Sequence, residues 1–211
     1  MMNKIPVRAT GFIFRGLFII ALLITSADLL AEDKSDATMV VEKFHTTLID
    51  IMKNASTLGF NGRYDKMLKE INSSFDTPLI AQVILARYWT ELSPDKQKEF
   101  ITLFNQLSAS TYASRFNSYS GESFKTMAVD SLKKGRLLVR TEMDKGNGET
   151  VKFEYLVHQK EGKWYIISVV ADGVNDLALK RAEYEKIISD SGYDSLLKEI
   201  QAKINDMQDK S

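Results

Sequence analysis

The chain has 211 residues, 44% hydrophobic and 27% charged, which is length and apolar content enough for one domain with a real core. Its 28 basic side chains are matched by 28 acidic ones, so there is no basic excess to hold a polyanion, and nucleic acid is excluded as a partner class. The absence of cysteine removes disulfides, thiolate metal sites, thiol nucleophiles and a lipidated N-terminal cysteine together.

The first 31 residues differ from the rest. Lys4, Arg8 and Arg15 precede an apolar run from Gly16 to Ile24, which is followed by the small residues Thr25, Ser26, Ala27 and Ala31. A basic segment, a short apolar core and a small-residue site are the layout of a secretory signal. The run is too short to span a bilayer, which takes about 20 apolar residues. Residues 1–31 are therefore expected to be a cleaved signal peptide, cut after Ala31 or after Ala27. Residues 32–211 would then form a single domain with a slight acidic excess.

Residues 36–58 read as a helix, with Val40, Phe44, Leu48 and Ile51 on one stripe and Gly59 as its stop. Asn61-Gly62 is read as a turn into a short helix over 64–71. Thr77-Pro78 starts a helix over 79–89, and Ser93-Pro94 repeats the signal for the longest helix, reaching about residue 119. Phe100, Leu103, Phe104, Leu107, Tyr112 and Phe116 step along it by three and four, apart from one five-residue step.

Beyond Ser120-Gly121 the period changes to two. Residues 122–130, 135–144, 149–159 and 163–171 read as four strands joined by links short enough for hairpins, hence an antiparallel meander. In the last strand Trp164, Ile166, Ser168 and Val170 alternate with Tyr165, Ile167 and Val169. Apolar residues on both faces predict a strand covered on both sides. Two amphipathic helices close the chain, over 174–190 (with Leu177, Tyr184, Ile187 and Ile188 on one stripe) and 194–207, separated by Gly192 and with Asp194 as a cap. Helices, then strands, then helices give an α+β fold, with N-terminal helices and two C-terminal helices packed on a curved four-stranded antiparallel sheet.

Catalytic chemistry is thin. A nucleophile, a base and an orienting group would be needed, and the only histidines are His45, on a helix beside Lys43 and Glu42, and His158, at a strand end. Both read as surface or capping histidines, and neither belongs to a catalytic or metal-binding motif. Glu149, Glu154 and Asp172 lie in the strand region and read as solvated carboxylates. No catalytic residue, metal or cofactor is expected. The inward apolar stripes (Leu137 and Val139, then Val151, Phe153, Tyr155 and Val157) read first as core.

The stretch from Trp164 to Tyr184, W-Y-I-I-S-V-V-A-D-G-V-N-D-L-A-L-K-R-A-E-Y, closely resembles the signature of the MlaC, or toluene-tolerance, family of periplasmic lipid-binding proteins. The likeness continues through Tyr88-Trp89-Thr90-Glu91-Leu92-Ser93-Pro94, the segment from Tyr119 to Phe124, and Ser191-Gly192-Tyr193-Asp194-Ser195-Leu196-Leu197, so that residues 40–203 are covered. Within the family it is nearest the hopanoid-associated HpnM branch. Two positions depart from the pattern: Ser168, where an acidic residue is expected, and Asn175, where serine is.

The resemblance implies an NTF2-like, MlaC-like shell enclosing an apolar cavity for acyl tails, with the head group near its mouth. Carried across by position, Val151 and Val174 would line that cavity; Phe104, Phe153, Tyr155 and Ile166 are added from the apolar patterning. The implied function is a non-catalytic, monomeric periplasmic carrier that shuttles phospholipid or hopanoid between the two membranes. Its implied partners are an inner-membrane lipid transporter and an outer-membrane lipoprotein complex. The alternative is an enzyme or accessory factor acting on a hydrophobic substrate in hopanoid metabolism.

Overall fold

The structure is a computed structural model that describes residues 26–211, with side chains from Lys34 onward. The expected signal peptide, residues 1–31, lies outside the residues whose side chains are described. Helix α1 (Ser26–Lys53) places Val41, Phe44, His45, Leu48, Ile51 and Met52 on one buried stripe. It ends five residues before the predicted last residue, 58. Helix α2 (Ala55–Ser74) follows and is broken at Gly59, whose φ of 57° only glycine adopts freely. The predicted Asn61-Gly62 turn is instead part of α2.

Helix α3 (Thr77–Leu85) is capped by Asp76, which accepts from the Leu79 amide at 3.3 Å. It stops four residues short of the predicted end because Ala86 turns to φ 49°, and a 3-10 turn (Ala86–Glu91) follows. Helix α4 (Pro94–Arg115), capped by Ser93, ends before the predicted residue 119.

The sheet is an antiparallel meander of five strands in chain order: β1 (Ser123–Ser131), β2 (Leu137–Asp144), β3 (Thr150–Lys160), β4 (Lys163–Ala171) and β5 (Val174–Asn175). The fifth corrects the expectation of four. Asp172 and Gly173 both take positive φ, 47° and 80°, forming a tight hairpin that pairs Val174 with Ala171. The positive φ is what calls for glycine at position 173. Asn175 then caps α5 (Asp176–Ser191) by accepting from the Ala178 amide at 3.1 Å, so the departure from serine keeps the cap. Helix α6 (Tyr193–Asp209) begins after Gly192 and has no side-chain cap; Asp194 pairs with Lys96 at 3.3 Å instead.

A bulge changes the reading of β4. Leu156 pairs with Ser168 and Val157 with Ile166, leaving Ile167 without a partner. Beyond it the inward set is Val169 and Ala171, opposite Tyr155 and Phe153. Ser168 and Val170 therefore do not share a face with Trp164 and Ile166. Cover on the second face is only partial: Val170 lies in the row with Glu154 and the exposed Arg140 and is half-buried.

Two cores result. Alpha-1 and α2 pack Phe44, Leu48, Met67 and Ile71 onto Val139, Tyr155, Val157 and Ile166 of the sheet. Helices α3 to α6 form the second, around Ile84, Phe100, Leu107, Tyr184, Leu196 and Ile200. Phe75 touches both.

Candidate functional site

The two cores do not close on each other everywhere. Between α4, α5, α6 and the end of the sheet where β3 begins and β4 ends lies a cavity of about 900 Å³. Its walls are mainly apolar: Ile71 and Phe75 from one core, Ile80, Phe104 and Leu107 from the other, and Met143, Phe153, Ile167 and Val169 from the sheet. The cavity opens to solvent along a rim. Val174 and Leu179 stand there 54% and 59% exposed, beside the charged Arg115, Asp176, Lys180, Lys203 and Asp206. Lys180 pairs with Asp176 at 3.5 Å and Lys203 with Glu183, while Arg115 makes no ion pair among the described residues.

Four of the six candidate residues border this space. Phe104 lies on the α4 wall, Val151 and Phe153 on β3, and Val174 on the rim. Tyr155 and Ile166 do not. Both are sealed in the first core: Ile166 bridges to Phe75, and the Tyr155 hydroxyl lies 2.9 Å from His45 Nε2. They share the inward face with Val151 and Phe153 but sit further along the strands, under α1.

His45 is not the surface or capping histidine expected, whereas His158 is partly exposed beside the cap of α3; neither borders the cavity. His45 is buried, stacked on the Phe124 ring with centroids 3.9 Å apart, and burial lowers its pKa to about 3, so the ring is neutral. His158 lies 3.0 Å from the carboxylate of Asp76, which Lys160 also approaches at 3.6 Å. This cluster ties the cap of α3 to β3. The strand-region carboxylates are occupied structurally: Glu149 by Lys145 at 2.9 Å, Glu154 by Arg140, and Asp172 by the Lys152 amide at 2.9 Å. Among the described residues no group of three or more His, Cys, Asp or Glu could hold a metal ion.

Two tyrosines at the cavity were legible only as members of apolar stripes. Tyr112 of α4 packs edge-on against Phe44, and Tyr184 of α5 edge-on against Phe100. Burial raises both phenol pKa values, with Asp176 adding to each, so both stay protonated. What the site can do is enclose something long and apolar and offer it a few hydrogen-bond donors.

Residues 42–202 match the family described as MlaC protein. No curated protein is significantly similar to the chain. Among solved structures, the fold is similar to that of a phospholipid-binding protein from Ralstonia solanacearum in complex with a phospholipid. The TM-score is 0.70 at 18% identity, over 82% of this chain and 98% of that one.

Proposed function

The chain belongs to the MlaC family, and from that premise we propose that it is a non-catalytic periplasmic lipid carrier whose cavity receives acyl tails. The observation that carries the proposal is the space itself: about 900 Å³, apolar-walled, at the seam between two cores and open at a charged rim. Taking a methylene as about the size of a water molecule, roughly 30 Å³, the cavity holds on the order of thirty methylenes, the length of two sixteen-carbon tails.

Moving one such tail from membrane into water costs about 12 kcal/mol, at about 0.8 kcal/mol per methylene. A carrier has to cover nearly all of it. Phe104, Val151 and Phe153 would line the tails, with Val174 at the entry; all four border the cavity.

A phospholipid is the favoured cargo, since the structurally similar Ralstonia protein is described with one bound; the HpnM likeness makes a hopanoid the other cargo. The carrier would move lipid between inner and outer membranes as a monomer. It would load and unload docked on an inner-membrane transporter and an outer-membrane lipoprotein complex, because an undocked tail would face the hydration cost just given. None of the described helices is long and apolar enough to cross a membrane. The enzyme alternative needs a base beside the cargo; neither histidine borders the cavity, and the carboxylates that do, Asp176 and Asp206, stand at its charged rim.

Organic extraction of protein purified without detergent, followed by mass spectrometry, tests the proposal. Lipid in near-stoichiometric amount is expected; protein that purifies folded and empty, and takes up no lipid from vesicles, would overturn it.

A further inference from the structure

Several polar groups of the cavity wall are committed to the protein. Thr77 Oγ1 donates to Asn105 Oδ1 at 2.7 Å, Asn105 Nδ2 donates to Asn72 Oδ1 at 2.7 Å, and Thr111 Oγ1 donates to the Leu107 carbonyl at 2.8 Å. Ser108 and Ser114 lie on α4, where a helical serine can turn its hydroxyl back to the carbonyl four residues earlier. A phenol on the same helix has no such recourse, because its hydroxyl stands a full ring away from the backbone.

Tyr112 is that phenol. Its ring is wedged against Phe44 and Phe116, and its hydroxyl makes no hydrogen bond to any described residue. Yet the hydroxyl is absent from the buried oxygens that are sealed off without a partner, a set that does include the Tyr184 hydroxyl. A hydroxyl deep enough for burial to keep it protonated, unbonded and still reachable, on a residue that borders the cavity, opens onto that cavity. In the empty protein water can satisfy it. When hydrocarbon fills the space that water leaves, and a cargo with no acceptor at that depth would strand the donor.

We infer that the Tyr112 hydroxyl donates a hydrogen bond to an ester carbonyl of the bound lipid, so that the cavity selects ester-linked diacyl glycerolipids over lipids whose buried part is ether-linked or purely hydrocarbon. The inference rests on the cavity being the lipid site proposed above. It adds a specificity-determining residue and a chemical class of cargo. A hopanoid skeleton, with no carbonyl in its ring system, is disfavoured by the same group.

The test offers the purified full-length protein vesicles containing equal amounts of sixteen-carbon diester and diether phosphatidylglycerol, and quantifies the captured lipids by mass spectrometry. The two probes share head group and chains, so their ratio isolates the carbonyls. Wild-type protein is expected to enrich the diester about fivefold, the worth of one net hydrogen bond. Tyr112→Phe is expected to bring the ratio to about one while still capturing lipid. A wild-type ratio near one, or a fivefold preference surviving in Tyr112→Phe, overturns the inference and leaves the carrier function standing. Capture of neither lipid by wild-type protein overturns both. Should Tyr112→Phe fail to fold, Tyr112→Met takes its place in the comparison, and a wild-type ratio near one overturns the inference without either variant.

Discussion

His45 gives the fold an acid sensitivity of calculable size. Above pH 6.5 its imidazole is neutral in both the folded and unfolded chain. Below that, the unfolded chain takes up a proton that the folded protein, with a pKa of about 3, refuses. Stability contributed by the neutral ring is therefore fully present above pH 6.5 and is lost as pH falls toward 3. Each unit is worth about 1.4 kcal/mol, so between pH 6.5 and 5 the loss is about 2 kcal/mol, a sizeable part of the 5–15 kcal/mol typical of a domain. The interval above pH 5 avoids most carboxylate titration. Urea unfolding of wild-type and His45→Gln protein between pH 7.5 and 5 reads it out; glutamine can still bond Tyr155 but takes no proton. Wild-type protein should lose about 2 kcal/mol more than the variant over this range. Parallel profiles would refute the buried neutral ring.

Val151→Arg puts a cation on the inner face of β3 and should cut captured lipid at least tenfold in vesicle uptake. Val174→Arg, at a rim position 54% exposed, can reach water along its own stem and should cut it less; the reverse order would move the tail site away from β3. Tyr184→Phe removes a sealed hydroxyl that has no partner, so thermal unfolding should place it within about 0.5 kcal/mol of wild type or above it. A larger loss would mean the hydroxyl is bonded. Ala86→Gly relieves an alanine held at φ 49° and should raise stability by about 1 kcal/mol in urea unfolding, whereas a drop would show that α3 does not end there.

Much of the fold was legible because local rules dominate it. The Ser93-Pro94 start, the hairpin links and the stripe from Phe100 to Phe116 each depend on neighbouring residues alone. Two further features carry local signals as well. Asp172-Gly173 is a strong two-residue hairpin sequence, and it announces β5. His45 falls on the stripe of Val41, Phe44 and Leu48, which is where a buried residue belongs.

Other features are invisible to periodicity. The bulge at Ile167 switches which residues of β4 face inward, and nothing in a run of alternating apolar residues marks it. Alternation also assigns a face but not a position along the strand. Val151, Phe153, Tyr155 and Ile166 all point inward, yet only the first two reach the end of the sheet where the helices part. That parting is a property of how α4, α5 and α6 pack on one another beside the sheet, so the cavity could be expected from family likeness and not from pattern.

The central claim is that acyl chain occupies the seam between the two cores. A phospholipid carrying a photoreactive diazirine at the end of one acyl chain, loaded from vesicles and irradiated, would mark its own position. Peptide mapping should find the label on α4 near Phe104 and on β3 near Val151 and Phe153, and excess unlabelled phospholipid should abolish it. Label spread over the outer face of the sheet around Arg140 and Glu154, or unaffected by competitor, would contradict the account.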